Sequence, residues 1–170
     1  MTIVYTIGYE STDIDRFVAT LKTAGIKRVA DVRAVALSRK YGFSKKALAA
    51  RLEVEKIQYL HFVELGDPRP GREAAREGRY DEFRDIYEAH LDSADAKASL
   101  RKLLTTVSDA TTCLLCFERD PGNCHRSIVA EQLKESGFEV FDLYTDYPAS
   151  HVRNTPRRPR YHPRQGTTAA

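Results

Sequence analysis

The sequence predicts a single α/β domain in which helices cover both faces of a mostly parallel, five-stranded sheet. Segments rich in β-branched and aromatic residues alternate along the chain with segments whose apolar residues recur at helical spacing. The run at 112–117 is apolar at nearly every position, which is typical of a strand buried on both faces. A chain of 170 residues, 42% of them apolar, has the size of one such domain.

The first half of the chain alternates strand and helix. A strand is predicted at 3–7, and side-chain oxygens within 11–13 can cap the helix that follows it. A second strand is predicted at 28–33. The next helix is expected to begin at Ser44, whose hydroxyl can cap it, and a third strand lies at 57–62.

The second half begins with a stretch rich in glycine, proline and charge. Residues 64–79 are therefore expected to form an exposed loop, long enough to act as a lid or a binding loop. The periodicity after it predicts helices over 80–91 and 94–106, a strand over 112–117, a helix over 123–136 and a strand over 139–144.

The end of the chain differs in composition from the rest. We place the domain at 1–147 and expect 148–170, a basic tail rich in proline and arginine, to be unstructured. Residues 151–170 contain five arginines and no acid. Removing those five from the 27 basic residues of the chain leaves 22 against 24 acidic ones, so the net positive charge belongs to the tail.

Several classes of protein are excluded by composition. The longest apolar runs are far shorter than the roughly 18 residues of a membrane helix, and the N-terminus has no basic segment before an apolar one. We therefore expect a cytoplasmic protein without a membrane partner. No dinucleotide-binding or Walker-type glycine motif occurs, so no cofactor is expected.

The three cysteines are too few and too crowded for a disulfide framework. Cys113, Cys116 and Cys124 are typical of reduced thiols, and together with His125 they offer four ligands of the types that bind zinc. Because 113 and 116 differ by an odd number, however, their side chains should point to opposite faces of a strand. On that argument no metal site is expected.

Polar residues gather where the predicted strands end. Ligands of parallel α/β proteins bind at the carboxyl ends of the strands, which all lie at one edge of the sheet. Strand ends also meet water and are often polar for that reason alone. Because polar residues occur at four strand ends together, we predict one pocket, lined by Glu10, Asp31, Arg33, His61, Glu118 and Arg126.

The segment 123–126 is predicted to hold an anion. Asn123 can cap the helix there, the first-turn N–H groups lack intrahelical acceptors, and Arg126 adds a bidentate donor. The helix dipole, with His125 or Arg126, would favour the thiolate of Cys124 and make it a candidate nucleophile. The alternative is that Cys124 is a packed small residue and Arg126 a solvated one.

Further candidates surround this segment. Asp31 and Glu118 could act as a carboxylate pair in acid/base catalysis, or Asp31 could be a structural clamp for Arg33 or Arg126. Ser38 and Arg39 could add donors to the anion, or could belong to a solvated loop. Tyr59 and His61 lie on the same face of a strand and could line the pocket, or His61 could be a structural residue.

Short sequence blocks spread over 3–145 form a recognisable set: Thr6-Ile-Gly-Tyr-Glu10, Asp31-Val-Arg33, Ser38-Arg39, Gly42-Phe-Ser44, Tyr59-Leu-His61, Glu64-Leu-Gly66, Leu115-Cys-Phe-Glu118 and Cys124-His-Arg126. In these blocks the chain resembles the DUF488 family of bacterial and archaeal proteins. One departure is Ala36, where many relatives have proline. The resemblance implies an α/β domain with these blocks at one site, and it implies no reaction. Some relatives are labelled as associated with DNA repair.

Two hypotheses of function follow. In the first, the protein is a small enzyme acting on an anionic, phosphate-bearing substrate such as a nucleotide or a nucleic-acid end, with Arg33, Arg39 and Arg126 holding the anion. In the second, it is a module that senses a nucleotide or nucleic acid without catalysis, and the arginine tail provides salt-dependent affinity. A cluster of acids with a thiol favours the enzyme.

Overall fold

The fold is an α/β sandwich around a parallel sheet, as predicted. The structure, a computed structural model, describes residues 1–145 and the backbone of Val152–Arg153; the rest of the predicted tail lies outside the described residues. Five strands run parallel: β1 (Ile3–Gly8), β2 (Arg28–Asp31), β3 (Gln58–His61), β4 (Thr112–Cys116) and β5 (Glu139–Leu143). Their order across the sheet is β3-β2-β4-β1-β5, and Val152–Arg153 pairs antiparallel with β5.

Helices cover both faces of the sheet, and the residues of β4 pack alternately into the two cores that result. Cys113 and Leu115 pack into a core with α1 (Ile14–Thr23) and α2 (Lys45–Val54), whereas Leu114 and Cys116 pack into a second core on the other face. The second face is covered by α3 (Arg69–Arg76), α4 (Tyr80–Leu91), α5 (Ala94–Asp109) and α6 (His125–Glu135). The strand parity argued from sequence is therefore correct. No helix in the described part of the chain is both long and apolar enough to cross a membrane.

The segment at 64–79 is the largest departure from the prediction. It is mainly helical: a 3-10 turn at Val63–Leu65 leads into α3, so the expected exposed loop is wrong. Proline fits the first turn of a helix because the N–H it lacks has no intrahelical acceptor there, and Pro70 occupies that place. Ala74 anchors α3 in the core.

Two predicted helix caps are also corrected. Ser44 precedes α2 without capping it, because its hydroxyl bonds instead to the backbone of Ser38, accepting from the N–H at 3.0 Å and donating to the carbonyl at 3.2 Å. The helix predicted from Asn123 begins at His125. Asn123 closes a 3-10 turn that starts at Pro121, and Cys124 is the capping residue of α6.

Candidate active site

A cavity of about 430 Å³ lies at the carboxyl ends of β1, β2 and β4, with α3 as its opposite wall. Its position depends on a close approach between two strand ends. A side chain at Gly8 would place its Cβ 1.7 Å from the carbonyl oxygen of Glu118, so only glycine lets β1 end directly against the segment after β4.

The structure brings three of the six predicted pocket residues to this cavity. Glu10, Arg33 and Glu118 line it, and Cys124 and His125 do so as well. Asp31 and Arg126 lie behind the wall, while His61 faces a separate depression beside Phe62. For these last three the predicted position is wrong.

Asp31 is the clamp that the sequence left as an alternative. It is fully buried and accepts from the Arg33 Nε at 2.9 Å and Nη2 at 2.7 Å, a bidentate pair. The Tyr59 hydroxyl donates to the same carboxylate, and burial together with this bond raises the pKa of Tyr59. Arg33 also donates to the Tyr9 hydroxyl and the Phe43 carbonyl, so most of its donors are already used. Burial alone would lower the pKa of Arg33, but the bond to Asp31 outweighs it and the net shift is upward.

Arg126 is buried completely and its donors are used inside the protein. Its Nε donates to the Thr6 hydroxyl at 3.2 Å, and its Nη atoms donate to the carbonyls of Glu118 and Arg119. The reason is geometric: a side chain in the first turn of a helix points back toward the preceding segment, here the ends of β1 and β4. Arg126 therefore positions the chain that carries Glu118 rather than facing a ligand.

Of the remaining predicted residues, Ser38, Arg39 and His61 do not line the cavity, whereas Glu10 does. The His61 ring bonds through Nε2 to the Arg33 carbonyl at 2.7 Å. Ser38 is held by Ser44, and Arg39 is exposed. Glu10 lines the cavity and accepts the backbone N–H of Arg119 at 3.0 Å, which ties the two strand ends together.

The inner end of the cavity holds a compact group made by Cys116, Cys124 and His125. Their ligand atoms lie within 4.8 Å of one another, and within residues 1–145 this is the group of this kind that could hold a metal ion. The His125 Nδ1 is 3.7 Å from the Cys116 sulfur and 3.8 Å from the Cys124 sulfur. Its Nε2 donates to the Val32 carbonyl at 2.6 Å, so in the neutral ring Nδ1 carries the lone pair that faces the sulfurs.

The groups of this cluster shift one another's protonation. Burial alone would raise the pKa of Cys124, but the Cys116 thiol and the His125 ring hold it well below its usual range. Burial and the Cys124 thiolate raise the pKa of Cys116. Burial alone would lower the pKa of His125, and the neighbouring Cys124 thiolate raises it to about 9. Cys124 is thus the more acidic thiol of the pair.

Glu118 stands beside this cluster. The Cys116 thiol donates to its Oε2 at 3.2 Å. Burial, followed by the charge of Cys124, raises the pKa of Glu118 to about 8. A carboxyl group with a pKa near neutrality can take up or release a proton at physiological pH.

Asp67 is a site residue that the sequence analysis missed. It is only 5% exposed, lines the cavity, and its Oδ1 has no hydrogen-bond partner within the part of the chain that the structure describes. Burial raises the pKa of Asp67 to about 6. Gly71 makes room for this carboxylate, because a Cβ there would lie 2.1 Å from Oδ1. A glycine four residues after an aspartate was the available signal.

The α3 wall of the cavity carries positive charge, and apolar side chains from the segments after β2 and β4 line the cavity as well. Arg72 and Arg76, one turn apart on α3, both line the cavity. Arg72 donates to the Asp67 carbonyl at 2.6 Å, and Arg76 makes no ion pair with any residue in 1–145. The lining also includes three exposed apolar side chains: Val35, Leu37 and Phe117.

Comparison with known proteins identifies a family. The model described as "Domain of unknown function DUF488" matches residues 13–133, which confirms the resemblance seen in the sequence motifs. A search of curated proteins found no match. A search of solved structures found none either.

Proposed function

Since this chain belongs to the DUF488 family, a domain family of unknown function, we propose a function from the chemistry of its cavity. It is a small enzyme that acts on an anionic, phosphate-bearing substrate. The observation that carries this proposal is that one cavity joins a buried group of reactive side chains with guanidinium groups on the opposite wall.

The size of the cavity supports a small-molecule substrate or the end of a larger one. About 430 Å³ falls within the range of small-molecule sites, roughly 300 to 1,000 Å³. The apolar side chains of Val35, Leu37 and Phe117 can pack against an uncharged part of the ligand. A nucleotide fits this lining, because it joins a phosphate through a sugar to a flat aromatic base.

Arg72 and Arg76 are the groups that hold the anion in this proposal. A guanidinium binds phosphate through two parallel N–H donors, and these two side chains reach the cavity from successive turns of α3. They replace Arg39 and Arg126, which the sequence suggested for this task. Arg33 contributes the donor capacity that Asp31, Tyr9 and Phe43 leave unused.

Cys124, His125 and Glu118 supply the chemistry. A site that only binds phosphate needs no partly buried carboxyl group against a pair of cysteines, whereas an enzyme uses such groups to move protons and stabilise charge. Glu118 is the proton carrier, because its carboxyl group lines the cavity and is the nearest acid to the cluster.

The binding step is tested by thermal shift. The panel comprises inorganic phosphate, nucleoside mono-, di- and triphosphates, and short oligonucleotides with a 5′ or 3′ phosphate. A ligand at a hundred times its Kd adds about 2.7 kcal/mol to the free energy of unfolding. We expect a phosphorylated compound to raise the Tm of the wild type and of Arg69→Ala, an arginine of α3 paired with Glu73 outside the cavity. The same compound should lose most of its effect on the double variant Arg72→Ala/Arg76→Ala.

The catalytic step is tested with the ligand found in that screen. Turnover followed by phosphorus NMR should occur with the wild type and be lost in Glu118→Gln, while the thermal shift of that variant persists. A panel without any stabilising phosphorylated compound would reject the anionic substrate. A ligand that binds the wild type without being converted would instead identify a binding module.

A further inference from the structure

We infer that Cys116, Cys124 and His125 form a zinc site with one open coordination position at the inner end of the cavity. This inference deepens the proposed function, because it rests on the same cavity and gives its reactive group a metal ion. The sequence argument against zinc removed Cys113, which does face the opposite core. It did not remove the other three ligands.

The two sulfur-to-nitrogen distances match those of a zinc site. Tetrahedral zinc, with bonds of about 2.3 Å to sulfur and about 2.05 Å to nitrogen, separates a sulfur from a nitrogen ligand by about 3.6 Å. The two sulfurs lie 3.7 and 3.8 Å from the His125 Nδ1. A single nitrogen lone pair can bond to one thiol at a time, whereas a metal ion can bind the nitrogen and both sulfurs together.

The ligands are oriented by the groups behind them. The Val32 carbonyl accepts from the His125 Nε2 at 2.6 Å and so directs Nδ1 toward the sulfurs, an arrangement typical of histidines that bind metal. The backbone N–H of Arg126 donates to the Cys124 sulfur at 3.5 Å. Three rigid elements supply these contacts, because the ligands lie at the end of β4 and the start of α6 and the carbonyl follows β2.

Charge and openness indicate which kind of zinc site this is. Two thiolates balance the charge of the zinc ion, so the buried group carries no uncompensated charge. All three ligands line the cavity, so we expect the fourth coordination position to open toward it. Three protein ligands with an open position are typical of catalytic zinc, whereas structural zinc has four. Glu118 lines the same cavity beside Cys116.

Zinc content provides the test. The full chain is purified under reducing conditions from zinc-supplemented medium, and the metal is measured by mass spectrometry. We expect about one zinc per chain in the wild type and in Cys113→Ala, the matched control on the other face of β4. Cys116→Ala, Cys124→Ala and His125→Asn should each lose most of the metal.

Cobalt gives a readout that does not depend on how well each variant folds. Replacing zinc by Co²⁺ in the wild type should produce visible d–d bands of tetrahedral intensity and a near-ultraviolet sulfur-to-cobalt charge-transfer band. The inference would be overturned if zinc-free wild type bound no cobalt or if Cys124→Ala retained zinc. It would also be overturned if protein purified under reducing conditions contained a Cys116–Cys124 disulfide.

The result is separable from that of the proposed function. Zinc is measured without any substrate, and the phosphate panel depends on Arg72 and Arg76 rather than on the zinc ligands. Zinc with no phosphorylated ligand would reject the substrate class alone, and a phosphorylated ligand with no zinc would reject the metal alone.

Discussion

The charged residues on the two walls of the cavity differ in how far their polar atoms are hydrogen-bonded within the protein. On the sheet side, Asp31, Arg33 and Arg126 are buried and most of their polar atoms are bonded within the protein. On the α3 side, the Asp67 Oδ1 is unpartnered and Arg76 has no ion pair within 1–145. These three charged residues at the strand ends therefore hold the fold together, whereas the charged groups of the α3 wall are left available to a ligand beside Glu118 and the cysteine–histidine cluster.

The largest loss of stability is expected at Arg126, whose Nε and Nη atoms all donate within the protein. Arg126→Ala should lower the free energy of unfolding by about 3 to 5 kcal/mol, because it leaves the part-buried carbonyls of Glu118 and Arg119 and the buried Thr6 hydroxyl without their donor. Urea denaturation measures this change. Arg101→Ala, on the exposed face of α5, is the control and should change stability by less than about 0.5 kcal/mol. A loss below about 1 kcal/mol in Arg126→Ala would remove the distinction between the walls.

Breaking the Asp31 clamp should be the next largest effect. Asp31→Ala leaves the Arg33 guanidinium buried without its counter-ion and the Tyr59 hydroxyl without its acceptor, so we expect a loss of about 3 kcal/mol. The double variant Asp31→Ala/Arg33→Met should recover part of that loss, since it also removes the uncompensated charge. A double variant less stable than the single one would show that the charge of Arg33 is not what the clamp neutralises.

On the α3 wall, removing a charge should raise the free energy of unfolding rather than lower it. Asp67→Asn removes a carboxylate that is unpartnered and buried, and it should stabilise the protein by about 2 kcal/mol at pH 8. The pKa of Asp67 is about 6 in the folded protein, above its unfolded value near 3.9. Folding is therefore penalised progressively from about pH 4 to above pH 6, as the unfolded chain loses the proton first.

The pH dependence of stability in Asp67→Asn separates the effect of charge from an effect of packing. Urea denaturation in the presence of a chelator, so that bound metal does not contribute, should show equal stability for Asp67→Asn and wild type at pH 4. The difference should grow as the pH rises to 8. A stabilisation that is already complete at pH 4 would show that packing, rather than the charge of Asp67, is responsible.

The smallest effect on stability is expected at Arg76. Its side chain is exposed and makes no ion pair within 1–145, so Arg76→Ala should change the free energy of unfolding by less than about 0.5 kcal/mol. Any phosphorylated ligand found by thermal shift should nonetheless bind it more weakly. Equal binding by Arg76→Ala and wild type would show that the charge of this wall is not used.

The fold was largely predictable because its signals are local. Helical periodicity and β-branched runs depend on neighbouring residues, and the apolar sequence of β4 reflects burial on both faces. The loop predicted at 64–79 is wrong because that prediction treats proline and glycine as helix breakers. Pro70 lies in the first turn of α3 and Gly71 makes room for Asp67, so both are compatible with a helix there.

The site was predictable only in its location. Residues at strand ends meet at one edge of a parallel sheet whatever their type, and this brought Glu10, Arg33 and Glu118 together. Whether an arginine there faces the cavity or the interior depends on which carbonyls it can reach, as Arg126 shows. For Asp67 the local signal was the glycine four residues later, which leaves space for a side chain but does not itself predict that the carboxylate is buried.

The strand order has a consequence for synthesis of the protein. The first strand made, β1, lies between β4 and β5, the last two of the parallel sheet, and pairs with residues more than a hundred positions later. Such long-range pairing is slow because a large loop must close first. On the ribosome, β1 has no partner strand until β4 has emerged as far as Cys116, and its other edge stays unpaired until Leu143 has emerged. During that time the unpaired edges are open to chaperones or to neighbouring nascent chains.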